Sequence, residues 1–94
     1  MSYKRLTITS GSPVTDEMIE TVKSKYLPAV KAMGGIDCEL IQTGPDSGVL
    51  IATYPDKATA DAAAKKAAAL RAESREEFQG DEPSVLEGEV IATM

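Results

Sequence analysis

The 94-residue sequence predicts an α+β fold with the element order β-α-β-β-α-β. Three observations predict it. Four segments alternate apolar and polar residues or are rich in β-branched ones. Two segments between them carry a helical apolar stripe or alanine in bulk. Clusters containing Gly or Pro separate most of these segments. The composition, 43% hydrophobic and 27% charged, is that of a globular chain rather than a disordered one. A chain this short makes a single domain, residues 1–94. It buries only about 60–65% of its unfolded surface and so gains from association. Aromatics are scarce, Phe78 and three tyrosines without tryptophan, so the core is expected to be aliphatic and alanine-rich.

The elements follow in order. Residues 3–9, YKRLTIT, alternate as a strand does, and Ser10-Gly11-Ser12-Pro13 turns the chain. Thr15 is an N-cap, with Asp16 and Glu17 favouring the positive helix end and Val14 set to staple Ile19. Met18, Ile19, Val22, Tyr26, Val30 and Met33 form one apolar stripe on a helix over 15–33. Pro28 removes a backbone donor within it and predicts a kink or a split. Gly34 or Gly35 ends it in the left-handed conformation. Residues 36–43, IDCELIQT, are a second strand, Gly44–Gly48 a hairpin loop, and VLIATY at 49–54 a third strand. Asp56 caps a second helix, whose run from Ala58 to Ala72 has alanine at nine of fifteen positions and fades toward Phe78. An Asp61–Lys65 pair is expected on its solvated side. Residues 84–93, SVLEGEVIAT, are a fourth strand with Gly88 marking a bulge. This order is the ferredoxin-like split βαβ, a four-stranded antiparallel sheet with two helices on one face.

Alternation also sorts the sheet faces. Leu6, Ile8, Ile36, Cys38, Leu40, Leu86, Gly88, Val90 and Ala92 are small or apolar and are expected under the helices. Tyr3, Arg5, Thr7, Thr9, Asp37, Glu39, Ile41, Thr43, Val85, Glu87, Glu89 and Ile91 then form the opposite, mixed face, with Arg5 across from Glu87 or Glu89. The third strand is too apolar to assign. Val49, Ile51, Ile41 and Ile91 are more apolar surface than a solvent face normally shows, which points to a homodimer.

Charge and composition exclude several function classes. The net charge of −5 lacks the basic footprint of a nucleic-acid or anionic-membrane binder. One cysteine makes no internal disulfide and suits a reducing, cytoplasmic setting. The first residues enter a strand pattern directly, so neither a signal peptide nor a membrane span is expected. A soft-metal carrier needs a cysteine pair, and an RNA-recognition sheet needs exposed aromatics and cations. No phosphate loop or Ser/His/Asp set is present, and no cofactor or metal is expected, since the acids between Glu73 and Glu82 repeat no ligand spacing.

Four residues remain as candidates for a site. Cys38 is flanked by Asp37 and Glu39 with no histidine to serve as base, so it is a buried small hydrophobe before it is a nucleophile. Tyr54 ends a strand beside a helix start, where it packs or donates to a ligand oxygen. Tyr26 lies on the first helix's apolar stripe. Arg71, one turn before Arg75, either pairs with nearby acids at a helix end or clamps an anion.

The passages LPAVKAMGGIDCELI and VLIATYPDKATADAAAKKA resemble the dimeric α/β-barrel superfamily and, more narrowly, the antibiotic-biosynthesis-monooxygenase-like (ABM-like) domains. The resemblance covers nearly the whole chain. It implies two sheets facing each other in a homodimer and a pocket between sheet and helices in each subunit. Family enzymes oxygenate phenolic or quinol-like aromatics without a bound cofactor, or degrade haem, typically using an asparagine with a tryptophan or histidine, sometimes an arginine or tyrosine. This chain has no Asn, His or Trp, so neither residue set transfers and the catalytic residues stay unassigned. The resemblance thus implies a domain that binds a small apolar or aromatic molecule, with Tyr26, Cys38, Tyr54 and Arg71 near its pocket. Cofactor-independent oxygenation and a non-catalytic role of the same fold both stay open.

Overall fold

A computed structural model describes all 94 residues. Strands β1 (Tyr3–Ser10), β2 (Asp37–Gly44), β3 (Ser47–Tyr54) and β4 (Ser84–Glu89) form one antiparallel sheet in the order β2-β3-β1-β4. Two helical segments cover one face, giving the ferredoxin-like βαββαβ arrangement. No helix is long and apolar enough to cross a membrane.

The first helical segment is one continuous rod made of α1 (Asp16–Thr21), a π-helical stretch Val22–Tyr26, and α2 (Leu27–Ala32). Thr15 caps it, its Oγ1 accepting from the Met18 N–H at 3.1 Å. Of the kink or split that the sequence predicts at Pro28, the split does not occur, and the rod stays helical through it. The wider π turn ahead of it, in which the Leu27 N–H reaches back to the Val22 carbonyl, makes room for the ring and absorbs the missing donor. Gly34, at φ 101°, ends α2, and a Cβ there would lie 2.7 Å from Thr59 Cγ2.

The helix α3 (Lys57–Phe78) starts at Asp56, which accepts from the Thr59 N–H at 2.8 Å. It holds its full helical geometry to Phe78 and closes with Gln79 at φ 54°. Ala60, Ala63 and Ala67 recur at spacings of three and four and are buried, which lets α3 lie close on the sheet. Asp61 pairs back to Lys57 at 2.8 Å and not forward to Lys65. The β2–β3 hairpin is tighter than expected, because Gly44 already pairs with Ser47. β4 is regular at Gly88, opposite Lys4, so the expected bulge is absent. It stops at Glu89 rather than 93, since β1 offers only Ser2 to bond Val90 beyond that point.

The faces of β1 and β4 are the reverse of the sequence expectation. Tyr3, Arg5 and Thr7 lie under the helices together with Cys38, Leu40, Leu50, Ala52, Tyr54, Val85 and Glu87. Leu6, Ile8, Ile41, Val49, Ile51 and Leu86 form the open face instead. The helix side can hold the polar set because it encloses partners for it, while the more apolar face of these two strands is left uncovered. The core beneath the helices is small, with Tyr3, Val30, Ala52, Tyr54, Ala60 and Ala63 at its centre.

Candidate functional site

Between the sheet and the two helical segments lies a cavity of about 110 Å³. Its sheet side is built by Thr7, Leu40, Leu50 and Ala52, which the strand pairing sets side by side across β1, β3 and β2. Met18, Val22, Tyr26 and Val30 line it from the first helical rod, and Ala67, Leu70 and Phe78 from α3. Small residues on α3 keep the space open. Alanine at position 67 occupies a place where a larger side chain would enter it.

One end of the cavity is polar. Arg5 is 4% exposed and donates from Nε to Glu87 Oε2 at 3.1 Å and from Nη2 to the Ala60 carbonyl at 3.0 Å. A longer contact of 3.5 Å runs from its Nη1 to Tyr54 Oη, and its guanidinium lies 5.4 Å from the Tyr54 ring centroid. Tyr3 Oη donates to the other Glu87 oxygen at 3.1 Å. The Arg5 hydrogen bond, helped by Tyr3, holds the Glu87 carboxyl below its ordinary range. The partners of Arg5 offset much of the cost of taking its charge out of water. Arg71, one helical turn after Ala67, reaches the same region and has no ion pair. Burial, together with the nearby Arg5 cation, pushes its guanidinium below the ordinary value.

The opposite flank is fastened by a second cluster. Tyr26 Oη donates a short hydrogen bond to Glu77, and Lys25 pairs with Glu73 at 2.7 Å and with Glu77 at 3.3 Å. Burial and the Glu77 contact push the Tyr26 phenol up to about 12. These contacts tie the π stretch to the last turns of α3 across the cavity.

No protein-family model and no curated protein sequence matches the chain. Solved structures do. A variant of SnoaB, a cofactor-independent oxygenase from Streptomyces nogalater, superposes with a TM-score of 0.74 at 14% identity, over 99% of this chain and 96% of that one. The monooxygenase of the ActVA-Orf6 gene of Streptomyces coelicolor, in complex with nanaomycin D, gives 0.69 at 14% identity, over 99% and 89%. A dimeric ferredoxin-like protein from an uncultured marine organism gives 0.67 at 14% identity, over 99% and 98%. The chain has the ferredoxin-like fold that these proteins share.

Within this fold the four residues singled out from sequence fall into two places. Tyr26, Tyr54 and Arg71 line the cavity. Cys38 does not. It packs beside the core and faces a separate groove between the first rod and β2, with Val14, Ile19 and Leu27. Burial and the flanking Asp37 and Glu39 push its thiol up to about 11, so it is protonated and unreactive at neutral pH. The sequence reading missed Arg5. Alternation shows that Arg5 and Glu87 share a face, and nothing in alternation says that this face is the covered one.

Proposed function

We propose that two copies of the chain pair through their open sheet faces, and that each copy binds a small apolar or aromatic molecule in its helix-covered cavity. The cavity carries this reading. Its volume of about 110 Å³ compares with the ~150 Å³ engineered cavity that admits benzene, and its walls are apolar with a few convergent polar groups at one end. A single cysteine, which makes no internal disulfide, supports a reducing setting such as the cytoplasm.

Binding without turnover is the form of this reading that the residues favour. Oxygenating a quinol calls for a group that takes its proton. Among the lining side chains the only carboxylate is Asp81, at the exposed rim, and the chain has no histidine. The likeness to SnoaB and to the ActVA-Orf6 monooxygenase supports cofactor-independent oxygenation as the second reading. Isothermal titration with phenol and 1-naphthol, run beside oxygen-electrode assays with an anthrone, separates the two. Saturable binding without oxygen uptake is expected. Enzyme-dependent uptake would establish the second reading, and no binding of either ring compound would contradict both.

A further inference from the structure

The distribution of positive charge says more about the ligand. The chain has three arginines and seven lysines in a background of net charge −5. All three arginines, Arg5, Arg71 and Arg75, line the cavity, and no lysine does. Glu87 answers Arg5, whereas neither Arg71 nor Arg75 has an ion-pair partner. Tyr54, 1% exposed, accepts from Arg5, and its own hydroxyl proton is given to no protein group. The half-buried Arg71 guanidinium has no protein counter-ion and the buried Tyr54 hydroxyl proton has no protein acceptor, so both are free to take an acceptor oxygen of a ligand.

We infer that the ligand carries a carboxylate, held by Arg71 and the Tyr54 hydroxyl, with a single ring or a short alkyl chain lying against Met18, Leu50 and Leu70. This rests on the reading of the cavity as the binding site. The planar guanidinium fork matches two carboxylate oxygens, which a phenol cannot offer. A carboxylic acid is ionised at neutral pH and a phenol, with a pKa of about 10, is not. Benzoate and hexanoate are small probes of this class.

Isothermal titration of the purified protein with benzoate and hexanoate, against benzamide and hexanamide, tests the inference. The acids should bind at least tenfold more tightly than their amides. Arg71→Gln should erase that preference and keep the wild-type circular dichroism spectrum. Tyr54→Phe should weaken the acids about tenfold. Equal binding of acids and amides would overturn the carboxylate while sparing the cavity as an apolar site. An acid preference that survives Arg71→Gln would overturn it too. Failure of all four compounds to bind would contradict the cavity reading along with it.

Discussion

Arg5 is a charge buried beneath the helices, and its partners explain why it is tolerated. Glu87 lies directly opposite on β4, the Ala60 carbonyl comes down from α3, and the Tyr54 ring flanks the guanidinium. Glu87→Gln keeps the shape and removes the countercharge. It should cost about 1–2 kcal/mol in urea denaturation at neutral pH, below the range for a fully buried pair because Glu87 is partly exposed. Glu87 and Glu77 are both held below their ordinary range, Glu87 by Arg5 and then Tyr3, Glu77 by Tyr26 and then Lys25. A lowered carboxyl contributes stability above its unfolded value that is lost as pH falls through the folded one. Wild-type stability should therefore drop on acidification below about pH 4.5, and Glu87→Gln should make that drop shallower. A pH series of denaturation midpoints reads both effects. The pairing of Arg5 with an acid on β4 was visible in the sequence, but its burial was not, because it depends on what α3 and Tyr54 bring to that face.

At the scale of elements, caps and breakers were the most readable part of the chain. Thr15, Asp56 and Gly34 do what their chemistry prescribes. Pro28 predicts a kink or a split because a proline removes a bond in a regular α-helix, and the chain answers with a π turn, a register that apolar spacing alone does not reveal. The alanines of α3 showed a helix that sits close to something. Which of them face a tightly packed strand and which face the cavity needed the three-dimensional arrangement. That difference is measurable. Ala60→Leu, at a position with no exposed surface in contact with the core, should lower stability by about 1–3 kcal/mol. Ala67→Leu, on the cavity wall, should leave the thermal midpoint within a few degrees and abolish ligand binding by filling the space. Differential scanning calorimetry and titration on both variants check the contrast.

At the scale of the whole molecule, the chain keeps a thin core and a bare apolar face. Only 14 of the 94 residues are buried, while Ile8, Ile41 and Leu86 stand 40%, 44% and 60% exposed on the open side of the sheet. Association through that face would cover what the helices do not, and it explains why the more apolar side of β1 and β4 points away from them. The sequence showed that two apolar surfaces exist; sorting them required knowing that the polar end of a cavity occupies one. Light scattering should give a dimer at micromolar concentrations, and Ile51→Glu with Leu86→Glu should give a monomer whose melting no longer depends on protein concentration.

Ligands are expected to enter the helix-covered cavity and not the open sheet face. Methyl-resolved NMR during titration with benzoate tests it most directly. Binding in the cavity should give saturable shifts of the Met18, Val22, Leu50 and Leu70 methyls, with Leu6, Ile8, Ile41 and Leu86 unchanged. Shifts confined to the open-face methyls, or none at saturating benzoate, would contradict it.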